Sequence, residues 1–539
     1  MSKRTRLTRL LDRGFYPVEL PPSFATRNFS TAIGKITAGN NYVGSTISFD
    51  GATFRGPLRT FGVVNPVSYY LLSSFIAEHW SKITKTYGLS SCSGVRPTFP
   101  ALAKSGRAVG TASLAAKRKR QQHLASVYPV ILSLDLNRFY GSIYTHSIPW
   151  AVLGKEDAKK RYRDRTLRRH WSDTLDILVR GCNQAQTIGI PIGPDTSRIV
   201  SEIILSRIDA ELTAAGSGLS STQIYHAIDD YQFGVLSTHE AEDAESRFVR
   251  VTSRYGLRLN DFKTAVQHGL DFAPSNFQRN FDQLDGHDDH FVEQFFEVLY
   301  RLAHEHDGAN VIGYALKRFA RVLASNPKQE AVQEYLQRLL YAAPHQARFV
   351  LPLLLGIYKR DGVTTDTNRL IKWGVDVCSR RNDVGNLLWF LYAAIFLRTK
   401  IGAAQCMQCF SVANELVDLV LCHGRAEGLF SAPTAQLRSR YKQSGFGSAA
   451  WLPLYEIERH GWDTTAAFRK IGTADDDGSH YDLLRGHDVK FYLTDERQFS
   501  VAAFEGWNLT ADDFQIRDWD RAALRDLLWE DGRDWENYE

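Results

Sequence analysis

Three carboxylates stand where a carboxylate is costly. Asp135 closes the apolar run PVILSLD, and Asp229 and Asp230 sit side by side in YHAIDDYQFGVL. Apolar surroundings penalise a charged side chain unless it is paired or bound to a cation. Neighbours on a strand point to opposite faces, but at a tight hairpin two adjacent aspartates can approach one cation cluster. Mg2+ takes carboxylate oxygens and keeps positions for substrate phosphates. Two such ions clamp the attacking and leaving oxygens of an in-line phosphoryl transfer. Taken singly, a DD pair is an ordinary solvated loop and one strand aspartate means little.

Between these carboxylates lies GCNQAQTIGIPIGPDTSRIVSEIILSRIDAEL. Gly189, Pro191 and Gly193 form a turn that lets backbone come close to a ligand. A helix is predicted from about Asp195, with Asp195 or Thr196 as its cap.

The elements that must position these residues divide by pattern. Residues 1–285 mix helices with short β-rich runs, TISFD, PVILSLDL, YHAIDDYQFGVL and LRLND, which is an α+β texture. Residues 286–430 read as all-α. Phe291, Phe295, Phe296, Leu299 and Leu302 share one face; Ile312, Leu316, Phe319, Ala320 and Leu323 a second; Val332, Leu336, Leu339 and Leu340 a third. Further helices are predicted over 346–359, 367–380, 384–398 and 403–421. Helix starts recur about every 20 residues, so each pair takes about 40, as in HEAT-like arrays. An irregular helical bundle is the alternative. Residues 431–539 form a C-terminal extension to which the sequence assigns no function.

A strand Asp followed five residues later by an aromatic, then a Gly-Pro-Gly turn and helix, then a DD hairpin, resembles the palm of reverse transcriptases. LRLNDFKT follows where that family has its next motif. The resemblance covers about residues 15–270. FYPVELPPSF, FYGSIYTHSIPWA and GIPIGPDTSRIVSE look like the bacterial abortive-infection and defence-associated branch, whose repeat domain the helical region also resembles. The resemblance implies a fingers–palm domain followed by a HEAT-like helical domain in place of a thumb.

It also implies roles. Asp135, Asp229 and Asp230 match the metal-binding and catalytic aspartates, holding two Mg2+, with Mn2+ as a substitute ion. Tyr140 matches the gate that rejects a ribose 2′-OH. Lys263 matches the lysine near the pyrophosphate, a proton donor to the leaving group. Arg59, in RTFGVVNP, looks like the fingers residue that grips the triphosphate, a task suited to the forked guanidinium; Arg96 is a further candidate. Two positions depart from the pattern. Ala227 stands where most of the family has Tyr, and Ile192 where it usually has Gln between the Pro and Gly of the turn. Both normally touch primer or nucleotide, which puts ordinary primer and template handling in question and leaves the carboxylates intact. Relatives make DNA from a protein hydroxyl, often untemplated. Tyr16, Tyr42 and Tyr144 are conceivable primers.

The implied partners are dNTPs, a single-stranded DNA product covalently attached to protein, or in the alternative a noncoding RNA template, and further copies of the chain. A catalytically inactive palm serving as a nucleic-acid scaffold is the remaining alternative. Charge agrees with a polyanion partner: residues 1–130 carry 18 Lys and Arg against 4 Asp and Glu. KRKR at 117–120 could follow a phosphate backbone. Residues 501–539 reverse the sign, with 11 acidic residues against 4 Arg. The 539-residue chain is 44% hydrophobic, a soluble composition. Its longest apolar run, about residues 384–397, is too short for a bilayer. Six cysteines with no leader-like start point to a reducing cytoplasm, which the resemblance implies is bacterial. Cys406, Cys409, Cys422 and His423 lie on an apolar helical stretch whose spacing fits no common zinc finger.

Overall fold

A computed structural model describes residues 1–51, 59–100, 107–110, 114–268, 277–286, 288–306, 310–361, 367–470, 478–501 and 503–504, without the side chains of 114–118 and 361. Two side chains of the KRKR run, Lys117 and Arg118, are therefore not described, and the acidic end lies almost wholly outside the described residues.

The predicted strands TISFD and PVILSLDL are present as β1 (Ile47–Gly51) and β3 (Val130–Asp135). β1 pairs antiparallel with β2 (Arg59–Val63), placing Gly51 opposite Arg59. The DD segment folds as a hairpin of β4 (Ile224–Ala227) and β5 (Asp230–Val235). With β6 (Ala265–His268) these make an antiparallel sheet in the order β4-β5-β3-β6. LRLND is not a strand. Leu259 makes a single bridge to Leu136, and the polar run then tightens into a 3-10 turn over Asp261–Lys263. Leu257 anchors this segment in the core, while Asn260 and the residues after it turn back toward the end of β3.

The helices of this half are α1 (Lys3–Arg13), α2 (Pro66–Tyr87), α3 (Leu114–Val127), the single turn α4 (Phe139–Ser142), α5 (Ser147–Leu153), α6 (Lys155–Arg163), α7 (Trp171–Gly181), α8 (Asp195–Leu212) and α9 (Thr238–Ser253), of which α3 and α9 pack on the strands of this sheet. α8 packs against α2, α5 and α9 and is buried along most of its length.

The second half contains α10 (Gln278–Phe281), α11 (Phe291–Glu305), α12 (Val311–Arg318), α13 (Ala320–Ser325), α14 (Gln329–Ala342), α15 (Ala347–Asp361), α16 (Thr367–Arg380), α17 (Val384–Phe396), α18 (Ala403–Ser411) and α19 (Glu415–Ala426). Two predicted helices are broken. The 312–323 face bends at Phe319, which leaves helical geometry at ψ 12°. The 403–421 run stops at Ala413, whose φ of 56° is left-handed, and restarts where the Asn414 side chain accepts the Leu416 N–H at 3.1 Å. Asn at such a position caps a new helix better than it continues an old one. α17 is buried on every residue and packs against α15, α16, α19 and β1. These contacts make an all-α unit around a central helix; they do not establish a HEAT-like order. Among the described residues, no helix is long and apolar enough to cross a membrane.

Past α20 (Thr434–Tyr441), α21 (Trp451–Arg459) and α22 (Gly478–Gly486) the chain returns to its beginning. The Arg27 and Lys490 backbones exchange hydrogen bonds at 2.9 Å, and the Leu493 N–H donates to the Ser23 carbonyl at 2.8 Å. One apolar core runs from Leu7 through the helical half to Phe504. Residues 431–504, within the C-terminal extension, pack into this core over their described length.

Candidate active site

The antiparallel register places Asp135 directly opposite Asp230. Directly opposed residues face the same side of a sheet. Asp229 sits in the two-residue connection between β4 and β5, and its carbonyl accepts the Leu136 N–H at 3.2 Å. Three distant stretches of chain thus meet at one end of the sheet. The turn is strained: Ile228 has φ 57°, a region that a β-branched residue rarely occupies.

Electrostatics couple the group. The Asp229 carboxyl is pushed up to about 6, by burial first and by the charge of Asp135 second, with Arg59 and Lys263 pulling the other way. Lys263 Nζ lies 3.1 Å from Asp135 Oδ2, and Asn260 Nδ2 donates to Asp135 Oδ1 at 2.9 Å. Burial works against the Lys263 charge, yet its bond to Asp135 and the charges of Asp135, Asp230 and Asp229 hold it above the usual lysine range. All three aspartates therefore act on one cation. Among the described residues, no group of three or more His, Cys, Asp or Glu side chains is arranged to hold a metal ion. The donor chemistry, hard carboxylate oxygens, fits Mg2+ or Mn2+. The arrangement is one in which Asn260 and Lys263 take both oxygens of Asp135.

The rim is built from the turn before α8. Gly189 has φ 86°, and a Cβ there would come 3.2 Å from the Gly141 carbonyl. Gly193 has φ 121° and lies so close to Pro17 that no side chain fits. The Ile190 N–H donates to the Tyr140 carbonyl, and the Gly62 N–H to the Ile192 carbonyl, both at 2.9 Å. The turn carrying Pro191 therefore joins β2 to the Tyr140 helix. The Tyr140 phenol is pushed up to about 12 by burial first, with Arg198 and Ser201 pulling it down and the Asp229 charge adding to the rise. Arg59 is exposed at the start of β2 and acts on Asp229.

One expectation fails here. Asp195 does not cap α8. Pro194 occupies that position, and the fully buried Asp195 carboxylate instead accepts from Arg107 at 2.7 Å and from the Ala108 N–H at 2.9 Å. Arg107 also donates to the Tyr16 and Gly193 carbonyls, so this pair fixes the turn from behind. Arg96 donates to the Ser90 carbonyl and lines a cleft with Trp80, Tyr87 and Phe99. No interaction among the described residues joins it to the three aspartates.

Sequence reasoning missed the buried support of the hairpin. Asp209 on α8 accepts from His226 Nε2 at 2.9 Å, from the Tyr231 hydroxyl at 2.9 Å and from the Ser90 hydroxyl at 2.6 Å. The other His226 nitrogen, Nδ1, lies 3.2 Å from the Ile228 carbonyl in the strained turn. Burial alone would discharge His226, but the charge and hydrogen bond of Asp209 outweigh it and hold the imidazole up to about 9. A charged imidazole donates through both nitrogens, so His226 ties the turn to α8. The available signal was a lone His and a lone Asp inside the apolar runs YHAI and IILSRIDAEL.

Tyr16 is buried, and its hydroxyl donates to the Phe491 carbonyl at 2.7 Å, so it cannot reach the site. The Tyr42 hydroxyl lies 3.5 Å from Asn65 Oδ1. Tyr144 bridges to Ile188, beside Gly189. Cys406, Cys409 and Cys422 are free and buried, and His423 Nδ1 meets the Tyr492 hydroxyl at 3.0 Å.

No protein-family model matches the sequence, and no curated protein matches it. Similar solved structures include apo telomerase from Candida Tropicalis, 10% identical, with 66% of this chain and 64% of that chain covered and a TM-score of 0.32. Telomerase from Candida albicans in complex with a TWJ fragment of telomeric RNA is 12% identical, with 74% and 65% covered and a TM-score of 0.28. This chain spans less than two thirds of either one's length, and likenesses this slight carry no argument.

Proposed function

We propose that the chain is a DNA polymerase of the reverse-transcriptase type, a nucleotidyltransferase. The observation that carries this reading is Asp135 directly opposite Asp230, with the Asp229 carbonyl bonded to Leu136 and Lys263 on Asp135. Asp135, Asp229 and Asp230 would hold two Mg2+ ions. Bound there, the ions would offset the charge that develops on the attacking and leaving oxygens.

The chain's own groups account for the rest. A hydroxyl gives up its proton to solvent and attacks the α-phosphorus of a dNTP; a phosphoester bond forms, and the bond from that phosphorus to the bridging oxygen breaks. Lys263 supplies a proton to the departing pyrophosphate, Arg59 grips the triphosphate, and Tyr140 closes the space a ribose 2′-OH would need. Following the resemblance to abortive-infection relatives, synthesis is protein-primed and untemplated. It serves antiphage defence in the bacterial cytoplasm as a homo-oligomer, with the helical half, HEAT-like in order, bracing the palm. Of the three tyrosines considered as primers, Tyr144 is the one beside the Gly189 turn.

The test is incorporation of single labelled dNTPs by the purified chain with Mg2+, with and without RNase and protease. Product that resists RNase and is released by protease supports the reading. Loss on RNase treatment would mark a noncoding-RNA template instead. Equal incorporation by Asp229→Asn, or none by the wild type, would remove the polymerase reading.

A further inference from the structure

We infer that α5, α6 and the turn after them form a binding path for single-stranded nucleic acid leading away from the Gly189 turn. Residues 155–169 carry eight Lys and Arg against three Asp and Glu, a net +5 that equals the charge of the whole chain. All of these cations except Lys155 are exposed. Among the described residues, only Lys159 has a carboxylate within 4.0 Å, Glu156 at 3.9 Å. A fold that needed this charge internally would have paired it. The segment holds its place on α5 and α7 through Ala158 and Leu167, its two buried side chains.

Charge alone describes a solvated face, and the aromatic placement distinguishes this one. Tyr162 is 74% exposed between Arg161 and Arg163. A large ring has no folding reason to stand in water there. Rings also continue the path back to the site. Lys155 Nζ lies 4.3 Å over the Trp150 ring, Trp150 lies 5.4 Å from Tyr144, and Tyr144 bridges to Ile188 beside Gly189. Trp150 and Tyr144 are partly buried, each keeping some surface open. Cations that track phosphates, alternating with rings that stack bases, are what sequence-tolerant single-strand binding requires. A duplex would offer the rings no free base face.

The path extends the polymerase reading by naming where a strand lies, but it is measured without nucleotide or metal, so the two can fail separately. The probe is a labelled 20-nucleotide oligo-dT titrated against the full chain at several salt concentrations. Arg161→Glu/Arg163→Glu/Arg165→Glu should weaken binding at least about 10-fold and flatten the salt dependence by about two single-strand contacts, each worth roughly 0.7 in log–log slope. Tyr162→Ala should weaken it about 5- to 10-fold with the salt slope unchanged, as for a lost stacking contact.

Unchanged affinity and slope in the triple variant would overturn the inference. So would an equal loss in the exposed Lys372→Glu/Lys400→Glu control on the helical half, or polyglutamate binding as tightly as the oligonucleotide.

Discussion

Two regions bury their cores by opposite means. Around β3 and β5 the protein buries Asp209, His226 and Glu202 beside a turn whose Ile228 is held at φ 57°. Around α17 it buries Leu387, Leu388, Trp389, Phe390 and Leu391 with no charged residue in the helix. Apolar contacts tolerate small rearrangements as long as volume is kept. A buried ion pair does not, because each partner is costly without the other. The sheet region therefore gives up adaptability for one fixed placement of its carboxylates, and the helical region supplies stability that is indifferent to chemistry.

The largest effect that would separate the regions is on turnover. Asp135→Asn should slow nucleotide incorporation at least about a thousand-fold, about 4 kcal/mol of barrier, while thermal unfolding stays close to wild type. His226→Leu should cost about 3–5 kcal/mol, because it strands Asp209, and should also displace the Asp229 turn. Urea unfolding and incorporation would both register it. The His226 charge persists to about 9 in the fold against 6.5 in the unfolded chain. Its stabilisation is therefore complete below about pH 6.5 and lost as pH rises through 9. Asp209 and Glu202 are the acids that face it, and Asp209→Asn should flatten that decline.

Leu388→Ala in α17 should cost about 2–5 kcal/mol of stability, with incorporation per folded molecule unchanged. Lost activity at permissive temperature would break the division between the regions. Ile228→Gly is the smallest and most discriminating change. Relief of the left-handed backbone should add about 1 kcal/mol, yet incorporation should fall as the turn loosens. A Gly variant both more stable and equally active would show the strain to be incidental.

Some of this was legible in the sequence. The strands carrying Asp135 and the DD pair follow from apolar runs broken by acids, and the long helices from unbroken periodicity. The boundaries that failed, at Phe319 and Ala413, lie inside continuous apolar patterns where one backbone angle decides. The resting place of the Arg96 side chain was not legible either. An arginine in a loop has many carbonyls within reach, and only the folded chain shows that Ser90 takes it. The Asp209–His226 pair was written as two polar residues in apolar runs, but their meeting depends on how α8 lies under the sheet. Spacing 17 residues apart does not encode that.

The hydrogen bond from Tyr16 to Phe491 spans 475 residues. A ribosome adding roughly 5–20 residues per second needs about half a minute to a minute and a half to make the second partner after the first. Until then Phe15 and Tyr16 have no Phe491, and Phe24 no Tyr492, to pack on. The opening segment should stay protease-sensitive on stalled nascent chains that end before Lys490 and become resistant once Leu493 has emerged. Biogenesis of this protein thus carries a waiting interval, set by its topology, in which chaperone cover matters most.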